Sequence, residues 1–289
     1  MKYGNKKIPV KGLGSSDMLM HVKLFRRKKN MPWLRNTVAG LTVSILIFVV
    51  SIVGLPMGSI ATASDMQAGN IDYDSGFFFV RIRYDMSLRS AGRLFGGDLP
   101  WAHDYPRAEQ NLARILESVT AVKPSDGPNG SNILDLDDPE LYKFPFAYMS
   151  EPGYWTLSDQ EAEGLRAYLL KGGFLVFDDF RGDHWFNFEK QLKRVLPDSR
   201  LIELDISHPV FHSFFDIDTL EMPWMYNLPP RFYGVYENND PNGRLMLVAN
   251  YNNDIGEYWE YSDTGWLPID LSNEAYKFGV NYVMYAMTH

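Results

Sequence analysis

The 289-residue chain has 28 Lys and Arg against 36 Asp and Glu, and it has no cysteine. The missing cysteine excludes thiol nucleophiles and Cys-ligated zinc or iron–sulfur sites. Residues 1–37 hold ten basic side chains and one acid, residues 38–63 hold no charge, and the rest carries a formal charge of −17. So acidic a domain argues against nucleic acid as a partner, because phosphate binding depends on Lys and Arg.

The amino-terminal residues predict export. Residues 1–37 form a basic tail, which the positive-inside rule keeps in the cytoplasm. Residues 38–63 open with an apolar run of eighteen residues and end in the small-x-small sequence Ala61-Thr62-Ala63. That run has about the length of a membrane-spanning helix, and the ending is typical of a signal-peptidase site. The segment is therefore either a cleaved signal peptide or a retained anchor through residues 38–55, and the rest of the chain is periplasmic or otherwise extracytoplasmic.

A polar linker over residues 64–76 leads into a domain predicted over residues 77–289, in which strands and helices alternate. The predicted strands are 77–84, 144–149, 174–177, 201–204 and 244–251, with a short one near 233–236. Predicted helices begin near Pro106, Ser158 and Asn273, and another carries Phe188, Leu192, Val195 and Leu196 and ends at Pro197. Crossovers through helices imply parallel strands, so the pattern predicts one α/β domain with a doubly wound, mostly parallel sheet.

The helix that begins near Ser158 has the clearest boundaries. Ser158 and Glu161 have the spacing of a capping box, in which the hydroxyl and the carboxylate satisfy free N–H groups at a helix start. Gly172 and Gly173 are predicted to end the helix, because glycine adopts left-handed backbone angles without strain.

Polar side chains follow several predicted strands, where ligands bind in open parallel sheets. They are Ser150, Glu151, Asp178, Asp179, Arg181, Asp183, His184 and Asn250. Asp178, Asp179 and His184 are candidate catalytic residues, because two carboxylates and an imidazole could bind Mg²⁺ or Ca²⁺ or perform acid–base chemistry. The favoured alternative is structural, with Asp179 capping a loop and Asp178 paired with Arg181, since the spacing matches no established metal motif.

Ser150 could be a nucleophile with His184 or His208 as its base. The G-x-S-x-G sequence of a nucleophile elbow is absent, which favours a role in a turn. His208 precedes a proline and is predicted to support a loop. Arg81 could bind an anion, and a salt bridge with one of the many carboxylates is the favoured alternative.

Several motifs together resemble the bacterial family catalogued as domain of unknown function 4159. They are FAYMSEPG from Phe146, GGFLVFDD from Gly172, SHPVF from Ser207 and FGVNY from Phe278. The resemblance implies a flavodoxin-like sheet similar to class I glutamine amidotransferases and trehalose-utilisation-like proteins. Amidotransferases carry a Cys on the turn where this chain has Ser150 and Glu151, so the resemblance implies no glutamine hydrolysis.

The leading hypothesis is a non-catalytic extracytoplasmic module that binds a protein or small ligand at the strand ends, without a cofactor. The alternative is a hydrolase, carbohydrate-directed in one version, that uses Asp178, Asp179 and His184 with or without a divalent metal. If the apolar segment is not cleaved, residues 38–55 also make the membrane a partner.

Overall fold

The computed structural model describes residues 69–74, 76–86, 99–125, 129–221, 226 and 228–289. The predicted tail and apolar segment lie outside these described residues, as does most of the linker, and they stay predictions. In the part of the chain that is described, no helix has the length and apolarity needed to cross a membrane.

The described strands are β1 (Phe79–Arg83), β2 (Asp85–Met86), β3 (Ser131–Asp135), β4 (Phe146–Ser150), β5 (Trp155–Thr156), β6 (Phe174–Phe180), β7 (Ile202–Glu203), β8 (Arg231–Tyr236) and β9 (Leu245–Tyr251). The described α-helices are α1 (Arg107–Val119), α2 (Asp159–Leu170), α3 (His184–Val195), α4 (Ile255–Glu260) and α5 (Ile269–Thr288).

Seven of these strands form one sheet in the order β3-β1-β4-β6-β9-β8-β7. Neighbours from β3 to β9 are parallel, β8 is antiparallel to β9, and β7 is antiparallel to β8. Helices α1, α4 and α5 contribute to the core on one face, and α2 and α3 to the core on the other. The predicted α/β fold with a mostly parallel sheet is confirmed.

The central strands are apolar on both faces, as strands covered by helices on both sides must be. In β4, Phe146 and Tyr148 point into one core, and Ala147 and Met149 point into the other. This alternation explains why the strands read as continuous apolar runs and why the sheet was predictable.

The start and end of α2 agree with the prediction. The Ser158 hydroxyl accepts a hydrogen bond from the Glu161 N–H at 3.1 Å, and the Glu161 carboxylate accepts one from the Ser158 N–H at 2.6 Å. Gly172 has φ 112°, and a Cβ at Gly173 would lie 2.4 Å from the Tyr168 ring. The turn into β6 therefore requires both glycines.

Four described elements, the strands β2, β3 and β5 and the helix α4, were not predicted, and one helix begins earlier than predicted. Strands β2 and β5 have only two residues each. Strand β3 was missed because half of it is polar; its Asn132 side chain bonds the backbone of Ile71 instead of packing in a core. Helix α4 has only six residues and gives little periodicity. Helix α5 begins at Ile269 rather than Asn273, because Pro268 is its N-cap.

Candidate functional site

Loops from three parts of the chain meet at the carboxyl edge of the parallel strands. The segment before α1 carries His103 and Asp104, the end of β6 carries Asp179, and the loop and helix after β9 carry Asp254 and Glu257. We call these five residues the acidic cluster. Ligands in parallel α/β sheets bind at this edge, so the cluster lies where a functional site is expected.

His103 lies at the centre of the acidic cluster. Its Nδ1 is 3.0 Å from Asp179 Oδ2 and 3.3 Å from Asp104 Oδ1. Two sets of three side chains each offer ligand atoms that lie within 4.8 Å of one another. The first set is His103, Asp104 and Glu257, and the second is His103, Asp179 and Asp254. Both sets have the spacing of ligands around a metal ion, and they share the imidazole.

Asp104 is the most unusual member of the acidic cluster. Its side chain has no exposed surface, and its polar contacts are the His103 Nδ1, 3.3 Å from Oδ1, and the Glu257 carboxyl group. Burial raises the pKa of Asp104 well above its ordinary value, and the charges of Asp254 and Asp179 raise it further. A carboxylate buried beside other carboxyl groups is unstable unless a proton or a cation neutralises it.

Asp254 and Glu257 come together through the first turn of α4. The Asp254 carboxylate accepts a hydrogen bond from the Glu257 N–H at 3.0 Å and so caps the helix. Burial raises the pKa of Asp254 well above its ordinary value, as do the charges of Asp179 and Asp178. Burial also raises the pKa of Glu257, against the opposing charge of His103. A nearby positive charge would therefore stabilise the ionised form of both carboxyl groups.

His103 supplies part of that charge. Its hydrogen bond with Asp179 raises the pKa of His103 to about 9, so the imidazole is protonated at neutral pH. One imidazolium faces four carboxyl groups, which leaves the cluster short of positive charge.

Tyr226 lies over one side of the acidic cluster. Its hydroxyl donates a hydrogen bond to Asp179 and lies 3.1 Å from Asp254 Oδ2. The Arg181 guanidinium lies 3.7 Å from the centre of the Tyr226 ring. A hydroxyl has one proton, so it can satisfy only one of the two carboxylates at a time.

Unusual backbone angles concentrate at the same edge. Asp104, Glu151, Asp179 and Asn252 have φ values of 67°, 45°, 55° and 58°. Residues other than glycine rarely adopt this left-handed region, at a cost of order 1–3 kcal/mol each, and such residues cluster at functional sites.

Asp178 is the sequence neighbour of Asp179, but in the structure it lies outside the acidic cluster. Its carboxylate accepts hydrogen bonds from the Tyr148 hydroxyl at 2.8 Å, the Asn250 amide at 2.9 Å, and the N–H groups of Ile255 and Gly256 at 2.8 and 2.9 Å. The predicted pairing of Asp178 with Arg181 is not seen among these contacts. Asp178 and Asn250 instead join the start of α4 to the sheet.

Ser150, Glu151 and His184 lie around the turn after β4. Ser150 is buried, and its carbonyl accepts a hydrogen bond from the Tyr84 hydroxyl at 2.9 Å. Glu151 is half-buried next to it and contributes to the raised pKa of His103. The His184 ring begins α3, lies against the Tyr154 ring with 4.6 Å between centroids, and belongs to neither set of candidate metal ligands.

The remaining predicted site residues lie elsewhere. Arg81 forms a buried salt bridge with Glu109, which confirms the interpretation favoured from the sequence. Asp183 is the exposed N-cap position of α3, without a side-chain cap. The His208 ring accepts a hydrogen bond from the Val210 N–H at 3.1 Å and so supports a loop, as predicted.

Four of the five residues of the acidic cluster were not predicted from the sequence. His103, Asp104, Asp254 and Glu257 are far apart from Asp179 in the chain, and none belongs to a spaced motif. Two local signals could have drawn attention to them. A His-Asp pair stands just before a predicted helix, and Asp254 and Glu257 have N-cap spacing in front of apolar residues.

The profile of a family described as Domain of unknown function (DUF4159) matches residues 79–287. The chain belongs to this family. The match begins at the first residue of β1 and ends in the last turn of α5, so the whole large sheet and every member of the acidic cluster lie within the family domain. The resemblance to this family is confirmed. Among curated proteins, no sequence matches the chain.

Proposed function

We propose that this domain is a non-catalytic binding module whose acidic cluster holds a divalent cation. The observation that carries the proposal is the buried Asp104 carboxyl group, whose polar neighbours are the Glu257 carboxyl group and the His103 Nδ1 at 3.3 Å, and which faces the further carboxyl groups of Asp254 and Asp179. Asp104 and Glu257 can share only a proton or a cation, because neither ionised carboxylate can donate a hydrogen bond. A divalent ion would neutralise this group and its neighbours together.

The ligand atoms of the acidic cluster, carboxylate oxygens and an imidazole nitrogen, favour a first-row transition-metal ion that is a hard or borderline Lewis acid. Carboxylate oxygens suit Mg²⁺, Ca²⁺ and Mn²⁺, whereas an imidazole nitrogen suits Zn²⁺ and related ions. The acidic cluster offers four carboxyl groups and His103, a mixture that Mn²⁺ accepts. The residues that would bind the ion are His103 with either Asp104 and Glu257 or Asp179 and Asp254. His103 would release its proton when the ion binds, because only the neutral imidazole is a metal ligand.

Burial supports binding rather than turnover. Asp104, Asp179 and Asp254 are all buried, and the Tyr226 hydroxyl covers two of them. Only His103 and Glu257 have substantial exposure, so a substrate would have little access to the ion. The alternative hydrolase that uses Asp178, Asp179 and His184 has less support, because hydrogen bonds from four donors occupy the Asp178 carboxylate.

We further propose that the sheet is flavodoxin-like and related to that of class I glutamine amidotransferases. Taken in chain order, its five parallel strands stand in the order second, first, third, fourth, fifth. This order is typical of flavodoxin-like sheets, in which ligands bind at the carboxyl edge. The acidic cluster lies at that edge.

The cation site can be tested by titrating the purified full-length chain with Mn²⁺ and measuring binding by calorimetry and by electron paramagnetic resonance. We expect the wild-type chain to bind Mn²⁺ and Glu257→Gln to bind at least about tenfold more weakly, since one charged ligand is lost. Glu260→Gln is the matched control, because Glu260 lies one turn later on α4 and belongs to neither set of ligands. A wild-type chain that binds no Mn²⁺, or equal losses in the two variants, would contradict the proposal.

Export is proposed from the amino-terminal sequence. The basic tail and the uncharged segment over residues 38–63 support it. In a bacterial host, we expect protease added to spheroplasts to digest the acidic domain, and we expect protection when Ile47→Arg and Val50→Arg interrupt the apolar run. Protection of the wild-type domain in spheroplasts, together with its digestion after cell lysis, would show that the domain stays inside.

A further inference from the structure

Arg81 lies on β1 with no exposed surface, and it forms an ion pair with Glu109 of α1. Removing two charges from water is costly, and apolar residues of similar volume often replace such pairs without loss of stability. Stability alone therefore gives a weak reason for a buried arginine at this position. Its other contacts give a stronger one.

The second branch of the guanidinium binds the loop that carries part of the acidic cluster. Arg81 Nη1 donates hydrogen bonds to the Trp101 carbonyl at 3.0 Å and to the His103 carbonyl at 2.9 Å. The guanidinium is planar and rigid, so contacts from Nε and Nη1 fix the loop relative to both β1 and α1. Lysine has a single ammonium group and cannot reproduce this geometry.

The same loop is held in an unfavourable conformation. Asp104 follows directly after the bound carbonyl of His103 and has φ 67°. Its own carbonyl accepts a hydrogen bond from the Ala108 N–H at 3.0 Å, in the first turn of α1. Left-handed angles persist at an aspartate only where surrounding contacts hold them, and the contacts of Arg81 lie immediately before this residue.

Arg81 also carries charge close to the cluster without offering a ligand atom. Its contacts with the loop go to the backbone carbonyls of Trp101 and His103, so it acts on the site by fixing the backbone.

We propose that Arg81 is a positioning residue, which holds the His103–Asp104 backbone in the geometry that binds the divalent cation. This inference rests on the proposed cation site. Glu109 takes part by holding the guanidinium in place. The bound ion is the divalent cation proposed above. Arg81 would arrange the side chains that bind it before the ion arrives.

The experiment compares the full-length wild-type chain with the double variant Arg81→Met and Glu109→Leu, which replaces the ion pair by apolar side chains. Arg81→Lys is a second, less disruptive variant. Arg83→Met is the matched control, because Arg83 lies on the same strand and pairs with Asp135, away from the cluster. Two measurements are made on each: Mn²⁺ titration with electron paramagnetic resonance, and hydrogen exchange of the backbone amides over residues 99–106 without metal.

In the double variant we expect Mn²⁺ affinity to fall by about 10- to 100-fold, as it does when groups that orient ligands are lost. We also expect an altered Mn²⁺ spectrum and faster exchange over residues 99–106, with exchange over α5 unchanged. Arg81→Lys should show the same changes to a smaller degree, and Arg83→Met should match the wild type. Weaker binding with an unaltered spectrum and unaltered loop exchange would overturn the inference. Faster exchange in α5 as well as in the loop would indicate a general loss of stability and would overturn it too.

Failure of the cation proposal and failure of this inference are distinguishable. If the wild-type chain binds no Mn²⁺, the cation site is wrong, and the inference is decided by exchange alone. Faster exchange confined to residues 99–106 then shows only that Arg81 holds the His103–Asp104 backbone, and unchanged exchange rejects that role as well. If the wild type binds and the folded double variant binds equally well with the same spectrum, only the role of Arg81 is rejected.

Discussion

Replacing Asp104 by asparagine is expected to stabilise the metal-free protein and to weaken its binding of Mn²⁺. The substitution removes a carboxyl group that is buried beside the carboxyl groups of Asp254 and Asp179, and Asn tolerates the left-handed backbone angle at this position. The expected gain in the free energy of unfolding is about 1–3 kcal/mol, the size of the penalty for an unsatisfied buried polar group. Mn²⁺ affinity should fall at least about tenfold, because a charged ligand becomes neutral.

Urea unfolding in chelator-treated buffer and calorimetric titration with Mn²⁺ measure the two effects. Asp263→Asn is the control, because Asp263 is half-exposed and pairs with Arg107 at 2.5 Å on the surface. Such pairs contribute about 0–1 kcal/mol, so this variant should change neither quantity much. If Asp104→Asn destabilised the metal-free protein, Asp104 would be a structural residue and the cation proposal would lose its main support.

Replacing Asp178 by alanine is expected to destabilise the protein by about 3–5 kcal/mol, as the loss of one partner from a buried charged network does. The variant leaves the Tyr148 hydroxyl, the Asn250 amide and the N–H groups of Ile255 and Gly256 without their acceptor. For a domain of this size, the melting temperature should fall by roughly 10 °C. Thermal unfolding followed by circular dichroism measures the change.

Two further variants serve as comparisons for the stability of Asp178→Ala. Asp178→Asn keeps one acceptor oxygen and should lose about half as much stability. Asp183→Ala removes an exposed carboxylate that caps nothing, so it should stay within about 0.5 kcal/mol of the wild type. Should Asp178→Ala unfold at the wild-type temperature, the carboxylate would not be the structural link between β6 and α4, and a functional role would have to be reconsidered.

The two adjacent aspartates show where sequence reasoning stops. Asp178 and Asp179 look equivalent in the sequence, and both are candidate catalytic residues on that basis. In the structure, Asp178 turns towards the helix α4 and Asn250, whereas Asp179 has φ 55° and turns towards His103. Neighbouring residues at a strand end point in different directions, and which direction reaches the site depends on loops that come from elsewhere in the chain.

The histidines show the same limit. His184 is close to the aspartates in sequence, and His103 is far from them. A chain that folds into a parallel sheet brings together the ends of strands that are distant in sequence, so proximity along the chain is a poor guide to proximity at the carboxyl edge. No spacing in the sequence could identify His103 as the partner of Asp179.

The sequence alone determined the α/β class, the order of most strands and helices, the boundaries of α2 and membership of the family. These features depend on local patterns: apolar runs, capping residues and glycine turns that act within a few residues of one another. Only the tertiary structure decided which polar residues form the acidic cluster and which ones support the fold. The reason is physical: the burial of Asp104, the position of its neighbours and the hold of Arg81 on its loop are all contacts between segments that the sequence separates.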